Sequence, residues 1–323
     1  MSAHWASRID EREVGSGKIV DLVGAGGKSP RPYPVFPRSL HEDGPSRVIP
    51  LESGRKLDGP DSATAGLALN PNFIRLRPGE PVATHANATA EFYYVLRGHG
   101  RSRTGDQATE WRRGDSFLLP SGQTAIHAAS EDSALFWVHD EPLRSAMETG
   151  APRPKFEPTI VRPEGRNVSP TDEASDPGPS PWSFLSVRSF DQTTGLRSMV
   201  DVLPGAYTRP AQLSRSTTLH LILDCQPGGA TLIGKRLDGR GRIIEPVRVD
   251  WDPASAIVNS PGTWFAHINN SKFEAHLLPL EILDLRSALS GLAPDADLHA
   301  MLGQFHFESP LDRPGTRTVH RPQ

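Results

Sequence analysis

The chain has a single cysteine, Cys225, among its 323 residues. One cysteine cannot form a disulfide within the chain, so a disulfide-stabilised secreted domain is excluded and a reducing compartment is indicated. No run approaches the roughly 18 apolar residues that a membrane-spanning helix needs. The segment from Met1 to Asp21 also lacks the basic start and apolar middle of a secretory signal. We therefore expect a cytoplasmic protein with no membrane partner.

A strong charge of either sign is missing as well. The formal net charge is -3, and the isoelectric point is about 6.5. Proteins that bind nucleic acid or anionic membranes carry basic surfaces, and this composition gives no reason to expect either partner. A small neutral or anionic ligand held in a pocket is the expected partner.

Turn-forming residues, in contrast, are abundant: the chain has 31 prolines and 29 glycines. The apolar runs between them are short, which favours many strands joined by tight loops over long helices. We therefore predict an all-β fold. The expected strands are 72–77, 91–96, 109–111, 116–119 and 134–139 in the first half, and 198–203, 217–223, 256–258 and 273–282 in the second.

The two strand-rich blocks resemble one another, which indicates an internal repeat. The turn at residues 119–122, followed by His127, is matched by the turn at residues 260–262, followed by His267. Two barrels in one chain are the simplest explanation. We predict an N-terminal arm at 1–60 that wraps a neighbour or packs over a barrel, a first barrel at 61–145, a linker at 146–182, a second barrel at 183–290 and a C-terminal tail at 291–323.

Potential metal ligands cluster in the first block. Side chains alternate between the faces of a strand, so His85 and Asn87 project to the same side. Glu91 and Tyr93 share one parity after the following turn, and His127 comes from a later strand. If His85 points inward, one cation could be bound by His85, Glu91 and His127, with Asn87 beside it. Two imidazoles and one carboxylate that leave one metal face open are typical of non-haem Fe(II) oxygen chemistry.

Other interpretations of these residues stay open. A histidine on a strand is often a core or surface residue, and Glu91 could pair with an arginine instead of a metal. Asn87 carries a neutral amide, which is a poor ligand for a transition metal but could orient a ligand or bind a metal-bound water. Mn, Ni or Zn are alternatives to Fe(II).

The chain resembles the bicupin ring-cleaving dioxygenases that act on gentisate, salicylate and 1-hydroxy-2-naphthoate. The resemblance implies two double-stranded β-helix (jelly-roll) barrels, a bicupin, with an N-terminal arm. In that family the first barrel holds Fe(II) through histidines that map to positions 85, 87 and 127, whereas this chain has Asn87 and gains Glu91 where a small residue is usual. The resemblance rests on Pro78-Gly79-Glu80 before His85, Tyr94-Val95-Leu96-Arg97 leading into Gly98-His99-Gly100, Trp111 with Gly114-Asp115, and Asp140-Glu141-Pro142-Leu143.

The activity implied by the resemblance is that of a non-haem Fe(II)-dependent, extradiol-type dioxygenase. Such an enzyme opens the ring of a hydroxylated or amino-substituted aromatic carboxylic acid with O2. His85, Glu91 and His127 would then be the catalytic metal ligands. Relatives are commonly dimers or tetramers, so a homodimer or homotetramer is expected.

An aromatic acid needs an anchor for its carboxylate and a lining for its ring. Arginine forms bidentate pairs with carboxylates, and aromatic side chains can line a slot for the ring. Alternation alone does not settle which arginines face inward. The predicted substrate-binding residues are Arg75, Arg77, Asn87, Tyr93, Arg101, Arg103 and Trp111.

The second block has lost the paired histidines of a metal site. After Pro204-Gly205 the chain reads Arg209 to Leu213, and His220 and His267 each lack a paired neighbour. We expect this barrel to hold no metal and to stabilise the first barrel and the oligomer. Two rival functions are another metal-dependent cupin enzyme, such as a lyase, isomerase or hydrolase, and a non-catalytic cupin that binds a small molecule.

Overall fold

The structure is a computed structural model that describes residues 9–14, 17–22, 33–51, 69–146, 156–162, 169–170, 183–184, 196–198, 200–214, 218–259 and 262–282. The predicted C-terminal tail at 291–323 and most of the predicted linker lie outside these residues. Within the described ranges, no helix is both long enough and apolar enough to cross a membrane.

The N-terminal region contributes four strands and a short helix. Because prolines interrupt it, its elements are brief. They are β1 (Ile9–Val14), β2 (Gly17–Leu22), β3 (Tyr33–Phe36), α1 (Ser39–Glu42) and β4 (Arg47–Pro50).

Eight strands and a short helix follow and form the first barrel. They are β5 (Asn70–Leu76), β6 (Val82–Thr84), β7 (Ala90–Arg97), β8 (His99–Thr104), β9 (Gln107–Arg112), β10 (Ser116–Pro120), β11 (Ala125–Ala129), β12 (Ser133–His139) and α2 (Glu141–Ala146). One antiparallel sheet has the order β13-β10-β7-β12-β5-β4, where β13 is Thr159–Val161, and a second sheet has the order β6-β11-β8-β9.

The remaining strands are β14 (Ser169–Pro170), β15 (Ser183–Phe184), β16 (Leu196–Ser198), β17 (Asp201–Leu203), β18 (Tyr207–Thr208), β19 (Gln212–Leu213), β20 (Thr218–Asp224), β21 (Gly229–Gly234), β22 (Val247–Asp250), β23 (Ala256–Asn259), β24 (Trp264–Asn269) and β25 (Ala275–Ile282). Of these, β16 to β25 form the second barrel and β14 and β15 form a separate pair. One sheet has the order β1-β2-β3-β23-β20-β25-β16, with β17 also on β25. The other has the order β18-β24-β21-β22, with β19 also on β24.

Three apolar cores separate these sheets into four layers. The first core fills the first barrel and includes Tyr93 and Trp111. The second fills the second barrel and includes Ile257. The third lies between the barrels, where Phe136 of β12 shares one buried cluster with Leu278 of β25. Both faces of the two central sheets are therefore buried, which explains why β12 is apolar along nearly its whole length.

The N-terminal region links the two barrels instead of covering one. Phe36 of β3 pairs with Ala256 of β23, so β3 extends a sheet of the second barrel. Arg47 of β4 pairs with Arg75 of β5, so β4 extends a sheet of the first barrel. The predicted arm at 1–60 thus contributes strands to both.

All nine predicted strands lie on observed ones, and the all-β prediction is confirmed. Some strands missed from the sequence are short, as β6 is, or polar, as β8 is, whereas the missed strands β21 and β24 are six residues long and mostly apolar. In β8 only Ser102 and Thr104 are buried, and both are polar. Apolar periodicity therefore gives no signal there.

Gly98 joins β7 to β8 at a position that only glycine fits. Its φ is +78°, and an added Cβ would lie 1.9 Å from Ser133 Oγ and 2.9 Å from the Ser133 Cα. We expect Gly98→Ala to lower the free energy of unfolding by about 2–3 kcal/mol, measured by urea denaturation. Gly79→Ala is the matched control, because Gly79 has a φ of +75° but open space around its Cβ position. Equal losses in both variants would contradict the steric explanation.

Candidate functional site

The interior of the first barrel is defined by the pairing of β6 with β11. Thr84 lies opposite Ala125, and Val82 lies opposite His127. Directly paired residues share one face of a sheet. Because His127 and Thr84 are hydrogen-bonded to each other inside the barrel, Val82, Thr84, Ala125 and His127 all project inward.

This register corrects the expected orientation of His85 and Asn87. Thr84, Ala86 and Ala88 are buried, whereas His85 and Asn87 are exposed. The two residues do lie on one side, as alternation predicts, but that side faces solvent. The structure therefore does not bring His85 together with Glu91 and His127.

Glu91 and Tyr93 share one face of their strand, as alternation predicts, and that face lies inside the barrel. Glu91 is 1% exposed and Tyr93 is fully buried. The Tyr93 hydroxyl donates to Glu91 Oε2 at 2.6 Å. The same hydroxyl lies 2.9 Å from Thr84 Oγ1. Since the Tyr93 proton points to Glu91, Thr84 is the donor in this second bond.

Hydrogen bonds continue from Thr84 through His127. Thr84 Oγ1 lies 2.9 Å from His127 Nε2, and Ser102 Oγ lies 2.7 Å from His127 Nδ1. The indole N–H of Trp111 donates to Ser102 Oγ at 2.9 Å. Thr84 has already donated its proton, so His127 Nε2–H donates to it and Nδ1 accepts from Ser102. One directed chain therefore runs from Trp111 through Ser102, His127, Thr84 and Tyr93 to Glu91.

Burial sets the charge of Glu91, at the end of this series of hydrogen bonds, and of His127, in its middle. Burial raises the pKa of Glu91 to about 7, against smaller opposing contributions from Tyr93, Trp137 and Ser121. Burial lowers the pKa of His127 to about 3, so the imidazole is neutral at pH 7. Below neutral pH the series of hydrogen bonds therefore ends on a mainly protonated carboxyl, and its proton is placed on Oε1 because Oε2 accepts from Tyr93.

The residues present do not fit an iron ion held by His85, Glu91 and His127. His85 is exposed, and both ring nitrogens of His127 are already hydrogen-bonded to hydroxyls. The Tyr93 and Thr84 hydroxyls connect Glu91 to His127. Across the part of the chain that the structure describes, no three His, Cys, Asp or Glu side chains cluster as metal ligands do.

The four predicted arginines lie outside the barrel interior. Arg75 forms an ion pair with Asp132 at 2.9 Å and donates to backbone carbonyls of the α1 region, including Gly44 O at 2.8 Å. Arg77 is exposed and lies 3.3 Å from Glu80. Arg101 and Arg103 are exposed on β8. Of the predicted substrate-binding residues, Tyr93 and Trp111 face the interior.

The segment at residues 85–89 closes one end of the barrel above Glu91. Its backbone is fixed by side chains from elsewhere: Ala88 N–H donates to Ser121 Oγ at 3.0 Å, and Thr89 N–H donates to Asp140 Oδ1 at 2.7 Å. Asn87 N–H donates to Glu141 Oε1 at 3.1 Å. Ser121 and the Ala86 backbone are near enough to Glu91 to lower its pKa. Glu91 therefore lies directly beneath this segment.

The second barrel repeats one part of the hydrogen-bond chain. Trp251 donates its indole N–H to Thr231 Oγ1 at 2.8 Å, and Thr231 Oγ1 lies 3.0 Å from His267 Nδ1. Trp, hydroxyl and His thus recur in the same order in both barrels.

The sequence did not point to the hydroxyl residues in these two series of hydrogen bonds, which are Thr84, Ser102 and Thr231. A signal was available, because the spacing from Trp111 to His127 equals that from Trp251 to His267. The hydroxyls themselves gave no signal, since serine and threonine are common on exposed strand faces.

Comparison with known proteins confirms the resemblance inferred from the sequence. Residues 72–139 match the model of the Cupin domain family. Gentisate 1,2 dioxygenase 1 of Aquipseudomonas alcaligenes is 30% identical over 104 residues, which make up 32% of this chain. The match spans only 29% of the length of that relative. Residues 72–139 are thus similar to the cupin domain family, and about a third of the chain is similar to part of a gentisate dioxygenase.

Solved structures show the two-barrel fold over most of the chain. Salicylate 1,2-dioxygenase from Pseudaminobacter salicylatoxidans superposes with a TM-score of 0.60 at 15% identity, covering 83% of this chain and 89% of that one. A putative glyoxylate induced protein from Pseudomonas aeruginosa superposes with a TM-score of 0.55 at 13% identity, covering 87% and 92%. At these identities the likeness establishes the bicupin fold, and the predicted fold is confirmed.

Proposed function

We propose that the first barrel binds a small aromatic carboxylic acid at Glu91, without an iron ion held by His85, Glu91 and His127. The observation that carries this proposal is Glu91 Oε1, a buried carboxyl oxygen that makes no hydrogen bond of normal geometry among the described residues. Trp137 Nε1 is likewise buried without a bond of normal geometry in the described part of the chain, and Trp137 lies close enough to Glu91 to lower the pKa of its carboxyl. A carboxylate can accept one hydrogen from each of these groups.

The surroundings of Glu91 suit a planar ring. Tyr93 stacks on Phe117 with ring centroids 4.8 Å apart and an interplanar angle of 6°. Tyr93 and Trp137 are also parallel, with centroids 6.1 Å apart and an angle of 7°. A flat aromatic ligand can extend such a set of parallel rings by stacking. The segment at residues 85–89, which closes this end of the barrel, would have to move to admit it.

The direction of these hydrogen bonds leaves the proton of neutral Glu91 available for ligand binding. Tyr93 occupies Glu91 Oε2, so the proton of neutral Glu91 is available at Oε1 for an incoming carboxylate. An ionised Glu91 would instead repel that carboxylate. Binding is therefore coupled to the protonation of Glu91, whose pKa is raised to about 7.

Isothermal titration calorimetry tests this proposal. The chelator-treated protein would be titrated with benzoate, salicylate and gentisate. We expect saturable binding that weakens about tenfold for each pH unit above 7, because the neutral carboxyl becomes scarce. Glu91→Gln should bind with much less pH dependence, since an amide can donate at any pH. Glu110→Gln is the matched control, because Glu110 is exposed on β9. Binding of no aromatic acid between pH 5 and pH 7 would refute the proposal.

Iron-dependent, extradiol-type ring cleavage is the second candidate function. It is favoured by the 30% identity to gentisate 1,2 dioxygenase 1. Anaerobic loading with Fe(II) followed by oxygen uptake with the same acids distinguishes the two. Oxygen uptake with ring opening, together with stoichiometric iron lost in Glu91→Ala, would establish the dioxygenase and overturn metal-independent binding. Turnover with Mn, Ni or Zn that persists without oxygen would identify the rival lyase, isomerase or hydrolase.

A further inference from the structure

Three polar side chains in the second barrel are buried with hydrogen-bonding atoms that have no partner among the described residues. These atoms are both ring nitrogens of His220, Nε2 of His267 and both amide atoms of Asn259. His220 is 1% exposed, and the other two are fully buried. Buried polar groups in native proteins are almost always hydrogen-bonded. Three such groups together indicate a polar ligand.

The three side chains belong to one interior surface. His220 lies opposite Ile257 and Thr218 lies opposite Asn259 in the pairing of β20 with β23, so His220 and Asn259 share a face. The rings of His220 and His267 are 4.7 Å apart at an angle of 74°. Phe265 contacts both rings, at 4.9 Å and 5.4 Å. One small molecule could therefore reach the polar atoms of both histidines.

The first barrel shows what these positions look like without such a site. In the first barrel, Tyr93 lies opposite Phe117, and Glu91 lies opposite Leu119. In the second barrel, the corresponding pairs are His220 with Ile257 and Thr218 with Asn259. His220 therefore takes the place of Tyr93, and Asn259 takes the place of Leu119. His127 is hydrogen-bonded on both ring nitrogens, whereas His267 is bonded on Nδ1 by Thr231. The second barrel thus has polar atoms without a partner among the described residues, at positions where the first barrel has a hydrogen-bonded Tyr93 and an apolar Leu119.

Neutral donor groups in this site can bind an anion. Burial lowers the pKa of His220 to about 3, and the positive charge of Arg209 lowers it further. Burial, His220 and Arg209 lower the pKa of His267 as well. Arg209 is itself paired with Asp201 at 2.7 Å. That ion pair carries no net charge, so an anion is favoured because neutral imidazole and amide groups can each donate an N–H bond to it.

We propose that the second barrel binds a small carboxylate or inorganic oxyanion between His220, His267 and Asn259. Thr231, held by Trp251, positions the His267 ring so that Nε2 faces the anion. The three residues are almost completely buried, so the ligand has only a few non-hydrogen atoms, as formate, acetate and nitrate do. This site is independent of the acid-binding site proposed for the first barrel.

NMR of the histidine rings tests the proposal directly. The full chain, labelled with ¹⁵N-histidine, would be titrated with formate, acetate and nitrate at constant ionic strength. We expect saturable shifts of the His220 and His267 ring signals. Shifts with formate and acetate would identify a carboxylate site, and shifts with nitrate would identify a site for inorganic oxyanions. Asn259→Leu and His220→Tyr, which install the first-barrel residues, should each weaken binding about 10-fold or more.

His99→Ala is the control, since His99 is exposed and paired with Glu131 in the first barrel. It should leave the anion affinity unchanged. The wild-type titration needs no variant, so it remains decisive if a substitution fails to fold. Absence of saturable shifts with all three anions would show that water alone meets these groups and would overturn the proposal. Shifts of the same two rings by Zn²⁺ but not by anions would assign a metal site instead and would also overturn it.

Discussion

Phe136→Ala is expected to lower the free energy of unfolding by about 3–5 kcal/mol, because it removes a large side chain from a closely packed core. Phe136 is fully buried and packs against Phe73 with ring centroids 5.7 Å apart. It belongs to the cluster that joins the two barrels, which includes Leu278 of the second barrel. The loss should therefore affect both barrels together.

Urea denaturation, followed by tryptophan fluorescence and by circular dichroism, measures this effect. Each barrel contains a buried tryptophan, Trp111 in the first and Trp251 in the second. Tryptophan fluorescence therefore reports the unfolding of both barrels. Ile126→Ala is the control, because Ile126 is 39% exposed and should cost well under 1 kcal/mol. If only the first barrel became less stable, the shared core would not couple the two.

Glu91→Gln is expected to stabilise the protein at alkaline pH by about 3 kcal/mol relative to the wild type. The pKa of Glu91 is raised from 4.5 to about 7 in the folded state. A raised carboxyl pKa means that the folded state keeps a proton that the unfolded state releases. Stability from Glu91 is thus fully present below pH 4.5 and is lost as the pH rises towards 7.

The difference in unfolding free energy between Glu91→Gln and the wild type reports the contribution of this carboxyl separately from that of the other titrating groups. His127 and His139 have lowered pKa values and make both proteins less stable as the pH falls, but they cancel in the comparison. The difference should grow between pH 5 and pH 7 and stay constant above pH 7. Melting temperatures measured from pH 5 to pH 9 would show it, with Glu110→Gln as the exposed control. A difference independent of pH would mean that Glu91 is ionised throughout.

Much of the fold was predictable because it depends on local patterns. Glycine and proline mark the turns, and the apolar runs between them correspond to strands such as β7, β10 and β12. The repeat around His127 and His267 also followed from the sequence alone. Short or polar strands such as β6 and β8 escaped prediction, since their pairing comes from tertiary contacts.

The candidate site was only partly predictable. Glu91 and Tyr93 share one face as expected, because they lie two residues apart on one long strand. The predicted ligand His85 does not, because the short strand β6 is oriented by its pairing with β11, and a shift of one residue reverses every side chain. The roles of Thr84 and Ser102 were not predicted, because both lie on strands that pair with β11, which is distant in sequence.

The sequence by itself determined the all-β fold class, the two-barrel repeat and the shared face of Glu91 and Tyr93. Only the tertiary structure decided that His85 faces solvent, that hydroxyl groups saturate His127, and that His220 and Asn259 meet His267 in the second barrel. The physical reason is that alternation along a strand fixes which residues share a face. Which face turns inward is set by strand pairing and by the core on that side.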